Sequence, residues 1–321
     1  MSASISARCS TAASSAACAP ARADAANKPG AAGGKRPSVR RRSFALLLAA
    51  VSTVILALQA GSQQTAREHT MGIPAGGDVS MLATVMRPAG AGKRPLAIIN
   101  HGSPASGARE DMELPRYDAL SSWFVARGYV VVLPLRRGYG DTGGEWAESY
   151  GQCQQPDYYN AGLHGAQDIR ATLAFMRRQP YVAADRSIVI GESAGGWATL
   201  ALSSQNPPGV SGTINFAGGR GGQQRLADGR IGNCAPDALV TAAGRYGATA
   251  RVPTLWIYTA NDSFFKPALA RRMFDAYAAA GGHGTYRLLP AFGRDGHALV
   301  NSADGVAAWS RPISEFLASL Q

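Results

Sequence analysis

The chain has 321 residues, 46% of them hydrophobic, and a formal charge of +11. That length and apolar content can bury a full core, and they fit one domain of ordinary enzyme size once an N-terminal leader is set aside. The charge is concentrated: residues 1–62 carry eight Lys or Arg against the single acid Asp24, a balance of +7 that leaves +4 for the rest of the chain. No basic stripe interleaved with aromatics runs through that remainder, which argues against nucleic acid as a partner.

The leading segment reads as a targeting device. An Ala/Ser-rich stretch runs into Arg40-Arg41-Arg42, then an apolar run from Phe44 to Leu58, then the polar Gly61-Ser62-Gln63-Gln64. A bilayer span wants about 20 apolar residues and a secretory core roughly 7 to 15, so a cleaved signal is favoured, with Ala60-Gly61-Ser62 as an imperfect small-x-small cleavage site. Arg41-Arg42-Ser43-Phe44 followed by Leu46 also resembles a twin-arginine export signal. The expectation is an exported protein, periplasmic or secreted, with residues 1–62 as leader and residues 63–321 as a single domain. The alternative is a membrane anchor at residues 44–60, the one route by which this chain would meet a membrane. Cys9 and Cys18 fall in the leader, so Cys153 and Cys234 are the pair left for the exported body, where an oxidising compartment favours a disulfide. No CxxC or Cys/His cluster has metal-ligand spacing, and no metal is expected.

From Asp78 onward, short apolar runs alternate with amphipathic stretches about a dozen residues long, the pattern of a mostly parallel sheet with helices on both faces. Asp78 to Arg87 is expected to begin the sheet at an antiparallel edge. The runs at 96–100, 129–133, 187–190, 213–216, 253–258 and 285–289 read as strands, and several are continuously apolar, as strands buried on both faces are. Helices are expected over 117–127, 161–178, 194–204, 267–280 and 304–320, the last kinked or split by Pro312. Long glycine-rich loops, Arg136 to Asn160 and Ala217 to Gly232, follow strand ends, where open α/β sheets bind ligands. No insertion is large enough for a lid domain.

Gly191-Glu192-Ser193-Ala194-Gly195 is a GxSxG pentapeptide placed between the apolar SIVI and a helix-like run, the setting of a nucleophile elbow. A serine hydroxyl needs a positioned base and that base needs an orienting carboxylate. In chain order, His297 lies after the last expected strand and Asp262 after the strand before it, so Ser193, Asp262 and His297 form the expected triad. Asp295 competes with Asp262, although side chains two residues apart seldom face each other. Oxyanion donors are expected from the amide of Ala194, after the nucleophile, and from Ser103 or Gly102 in the loop after residues 96–100. His101 is expected to brace that loop.

Four segments together, His101-Gly102-Ser103-Pro104, the Arg136 to Gly144 loop, Gly191 to Trp197 and Tyr258 to Phe265, resemble the dienelactone-hydrolase-like and prolyl-oligopeptidase-like branch of the α/β-hydrolases over roughly residues 78–321. The resemblance implies the same triad, an acyl-enzyme mechanism and no cofactor. True dienelactone hydrolases have a cysteine where Ser193 stands. The expectation is an exported serine hydrolase acting on a small carboxylic ester, with a short-peptide substrate or a non-catalytic binding role as alternatives.

Overall fold

The computed structural model describes residues 67–104 and 108–321. The leader, its apolar run and the expected cleavage site lie outside the described residues. In chain order the elements are β1 (Arg67–Gly76), β2 (Val79–Arg87), β3 (Arg94–Asn100), α1 (Asp118–Ala126), β4 (Val130–Pro134), α2 (Tyr158–Met176), β5 (Val182–Glu192), α3 (Ala194–Ser203) and β6 (Val210–Phe216). There follow a two-stranded ribbon, β7 (Gln224–Arg225) and β8 (Ile231–Gly232), then α4 (Pro236–Gly247), β9 (Thr254–Thr259), α5 (Pro267–Ala279), β10 (Gly284–Leu289) and α6 (Val306–Ser319).

Eight strands form one sheet in the order β1-β2-β4-β3-β5-β6-β9-β10. The first two pairings, β1 with β2 and β2 with β4, are antiparallel, and the remainder are parallel. Period-two alternation explains why the central strands read as unbroken apolar runs. In β5, Val189 enters the core beneath α2, α3, α4 and α5, while Ile188 and Ile190 enter the core beneath α1 and α6. Strands β3, β4 and β9 divide in the same way: Trp256 and Tyr258 face the first core, Leu255 and Ile257 the second. An edge-to-face contact between Trp123 and Trp309, with centroids 5.8 Å apart, ties α1 to α6.

Three local expectations need correction. The sheet's edge is β1, one strand before the expected edge; its residues are mostly exposed, with Ile73 alone buried, and include Gly72 and Pro74, which hides it among loop-like sequence. Helix α4 was not expected; Pro236 at its first position and three buried alanine or leucine side chains mark it only in hindsight. Helix α6 runs continuously through Pro312. The proline removes a single backbone donor, whereas buried Trp309, Ile313 and Phe316 hold both halves against the sheet. Among the described residues, no helix is long and apolar enough to cross a membrane.

Cys153 and Cys234 are disulfide-bonded across a sequence separation of 81. The bond joins the loop after β4 to the segment that carries β7 and β8. Replacing both cysteines with serine is expected to lower unfolding stability by about 2–4 kcal/mol; chemical denaturation of the oxidised protein beside the double variant measures it.

Candidate active site

The elbow is built by close approach of backbone. Ser193 caps α3 with φ 52° and ψ −117°, a conformation that L-residues adopt only under constraint. A side chain at Gly191 would strike the carbonyl of Gly195, and one at Gly195 would strike the carbonyls of Asn100 and His101. Glycine is therefore required at both positions. The Ser193 amide donates to Phe216 O at 3.0 Å, and its carbonyl accepts from Trp197 N at 2.9 Å and Gly219 N at 3.1 Å. These bonds hold the hydroxyl at the carboxyl end of β5.

Asp262 follows β9 and is buried. Its Oδ1 accepts from the amides of Phe264 and Phe265, each at 2.9 Å. The same carboxylate faces His297 Nδ1, at 3.1 Å to Oδ1 and 3.2 Å to Oδ2. The imidazole stacks on Phe264, with ring centroids 4.1 Å apart. Its other nitrogen, Nε2, lies 3.5 Å from Glu192 Oε1. Ser193 and His297 line one cleft of about 370 Å³ with Gly102, Ser103, Tyr117 and Glu192. Among the described residues, no hydrogen bond joins Ser193 Oγ to the imidazole.

Asp295 sits close to His297 but has other work. It caps the turn by accepting the His297 amide at 3.0 Å, and it also accepts the amide of Ser263 at 3.1 Å and the Ser263 hydroxyl. Its carboxylate thus anchors the loop backbone, and the ring nitrogen goes to Asp262. Burial pushes His297 downward, but the Asp262 hydrogen bond and the charges of Glu192, Asp262 and Asp295 outweigh it, and the net shift is above the ordinary 6.5.

Around the expected oxyanion position, Gly102 N donates to the Tyr117 hydroxyl at 3.2 Å. Among the described residues, the amides of Ser103 and Ala194 make no hydrogen bond. His101 braces the loop as expected: its ring is fully buried, Nδ1 donates to Gly102 O at 2.7 Å, and Nε2 accepts from Arg136 N at 3.1 Å. Burial, reinforced by Arg136, lowers its pKa to about 3, so it stays neutral at physiological pH.

A second cleft of about 420 Å³ opens on the other side of Ser193, between Tyr139, Trp146, Tyr150, Arg220 and Gln223. Behind it lies a buried ion cluster. Arg136 Nε meets Glu148 Oε1 at 2.5 Å, and Arg220 meets Glu148 Oε2. Burial alone would raise Glu148, but Arg136 and Arg220 outweigh it and hold the carboxyl at about 2. Among the described residues, Arg220 Nε has no hydrogen-bond partner. Sequence reading missed this cluster and Glu192 alike. Glu148 and Arg220 are 72 positions apart, so nothing local signals their pairing. Glu192 was in view inside the pentapeptide without any sign of what it touches.

Comparison with known proteins places these features. The model of the prolyl oligopeptidase family matches residues 115–209. A putative dienelactone hydrolase from Klebsiella pneumoniae superposes with a TM-score of 0.55 at 17% identity, covering 78% of this chain and 98% of that one. The chain has an α/β-hydrolase fold of the dienelactone-hydrolase-like and prolyl-oligopeptidase-like kind. The acylaminoacyl peptidase of Pyrococcus horikoshii (TM-score 0.54, 16% identity) is covered over 41% of its length and this hydrolase over 78%. A putative dipeptidyl aminopeptidase IV from Bacteroides ovatus (TM-score 0.58, 18% identity) is covered over 36% of its length against 77% of this chain, so the chain spans less than half of either peptidase. A search of curated proteins finds no match to the sequence. The family match and the fold together support a serine hydrolase.

The ion cluster behind the second cleft makes the hydrolase acid-sensitive in a definite window. A carboxyl held at about 2 contributes stability fully above its ordinary 4.5 and loses it as pH falls from there towards 2. The melting temperature is expected to drop through that window. Glu148→Gln should flatten this part of the profile while costing about 3–5 kcal/mol at pH 7, because two guanidinium groups lose their shared partner. Thermal melts of both proteins from pH 6 downward check this.

Proposed function

We propose that residues 63–321 form an exported carboxylic-ester hydrolase in which Ser193 is the nucleophile, His297 its base and Asp262 the residue that orients the base. The observation that carries the reading is the buried Asp262 to His297 Nδ1 contact at 3.1 Å, made by an imidazole that lines the same cleft as the strained serine. Asp262 fixes the tautomer that carries hydrogen on Nδ1 and leaves the Nε2 lone pair for the serine proton. Ser193 Oγ attacks the ester carbonyl, and His297 takes the proton and returns it to the departing alkoxide. Water, deprotonated in the same way, then frees the acyl group. Catalytic hydrogen bonds often tighten only when substrate is bound, so the missing contact between Ser193 and His297 in the free enzyme is compatible with this sequence of steps. The unbonded amides of Ala194 and Ser103 are the proposed oxyanion donors, and the bond from Gly102 to Tyr117 makes Gly102 the weaker of the earlier candidates. This chemistry calls for no cofactor and no metal.

The export part of the reading draws on the Cys153–Cys234 bond, which an oxidising compartment favours, together with the leader's composition. Ester is preferred to peptide for an electrostatic reason. An enzyme that selects a free amino terminus needs a carboxylate to meet the ammonium. The buried carboxylate behind the larger cleft, Glu148, is already held by two arginines, and Glu110 at the rim is an exposed side chain beside Arg109 at 2.7 Å. A peptidase remains the second reading because the family model that matches residues 115–209 is that of prolyl oligopeptidases.

A fluorophosphonate probe should label the protein and fail to label Ser193→Ala; an unlabelled parent protein would defeat the reading. Parallel assays on p-nitrophenyl esters and aminoacyl p-nitroanilides of graded acyl size should favour the esters, and preferential anilide cleavage would move the assignment to peptidase. Asp262→Asn should lower kcat by about four orders of magnitude with the fold intact; an unchanged rate would transfer the orienting role to Asp295. Because a base must be neutral to accept a proton and His297 is shifted upward, the acid limb of kcat/KM should lie above pH 6.5.

A further inference from the structure

We infer that Glu192 tunes the base electrostatically: its carboxylate faces the His297 imidazole on the nitrogen that must take the serine proton, and there it favours the imidazolium. The inference rests on the catalytic reading above and assigns a task to the one member of the GxSxG segment that the reading leaves idle.

The geometry is specific. Glu192 is the last residue of β5, so its backbone is held by the sheet on the residue before the strained serine. Its side chain is buried, with Oε1 lying 3.5 Å from His297 Nε2 and Oε2 accepting the Tyr117 hydroxyl at 3.0 Å. Tyr117 in turn accepts the Gly102 amide at 3.2 Å, which links the acid to the loop proposed to hold the oxyanion. The imidazole therefore has a carboxylate on each side. Asp262, after β9, holds Nδ1, and Glu192 faces Nε2 from the end of β5.

The other titratable groups facing the ring and this acid are few. Asp295 lies on the ring's own loop, and Tyr117 lies at the start of α1. Phe264 and Phe265 close the remaining sides without charge. Burial raises the Glu192 pKa, and the nearby Asp262 adds to the rise; the His297 charge and the Tyr117 hydroxyl partly offset both.

During acylation the Ser193 O–H bond breaks as the bond from Oγ to the acyl carbon forms, and the proton passes to Nε2. Glu192 gains and loses no proton in that step. Its negative charge instead favours the imidazolium, in surroundings where water screens little. The same attraction acts on the free enzyme, so the cost is a base that protonates at higher pH. One charge thus links the plateau rate to the acid limb, and that link separates an electrostatic role from a packing role.

Glu192→Gln keeps an acceptor for the Tyr117 hydroxyl and removes only the charge. We expect the acid limb of kcat/KM on a p-nitrophenyl ester to move to lower pH by about one unit, with the plateau falling by up to about tenfold. Glu192→Asp, charged but shorter, should fall between parent and Gln variant. Tyr117→Phe cuts the hydrogen bond and keeps the charge, so it should leave the limb nearer its parent position than Glu192→Gln does. An unmoved limb in Glu192→Gln, or the same loss in Tyr117→Phe and Glu192→Gln, overturns the inference.

An NMR titration of the histidines in the parent and in Glu192→Gln gives a readout that needs no turnover. The His297 midpoint should be lower in the variant, and an unmoved midpoint overturns the inference. Fluorophosphonate labelling keeps the two failures apart. A protein that labels at Ser193 but shows no charge effect disproves only the role of Glu192, whereas a protein that does not label disproves the catalytic reading beneath it.

Discussion

A single backbone constraint organises this molecule: Ser193 must stay at φ 52° and ψ −117° at the end of a buried strand. Such a conformation costs on the order of 1–3 kcal/mol, comparable to what burying one aliphatic side chain contributes. It persists because three backbone hydrogen bonds clamp the residue and because Gly191 and Gly195 let strand, helix and the loop at Asn100 and His101 approach without side chains between them. The remaining parts of the site are arranged around that point. The amide of Ala194 opens α3 there, Ser103 approaches from the end of β3, and the loops after β9 and β10 bring Asp262 and His297.

Two histidines close to this point show how burial and partners compete. His101 and His297 both sit in the protein's interior, where desolvation disfavours the imidazolium. Beside His101 stand Arg136 and Arg220, and its pKa falls to about 3. Around His297 stand Glu192, Asp262 and Asp295, and its pKa rises instead. The site is therefore polarised, with a surplus of carboxylates around the His297 ring and a surplus of guanidinium groups behind the larger cleft. That division keeps His101 a neutral strut and suits His297 to the proposed role of base.

Much of the fold was legible because its signals are local or periodic. Five central strands announced themselves as apolar runs, and β3, β4, β5 and β9 each feed two cores at once. The elbow was legible because its steric demand for glycine falls within five consecutive residues. His297 and Asp262 could be placed because chain order restricts which loops end at the rim. Features that escaped depend on distance or on compensation. β1 is an exposed edge whose Gly72 and Pro74 read as a loop, α4 is rich in small residues, and the effect of Pro312 is overridden by aromatic side chains on both sides of it. The pairing of Glu148 with Arg220 and of Tyr117 with Glu192 is created only by folding, across 72 and 75 positions.

The placement of the imidazole after the final strand bears on synthesis. β10 pairs with β9 alone, and His297 follows β10. A growing chain can therefore shape its nucleophile turn while the ribosome still holds the segment that will supply the proton acceptor. In the proposed reading the base is the last part of the site to be synthesised, and a chain released before residue 297 would lack both that base and α6, whose Trp309, Ile313 and Phe316 complete the second core.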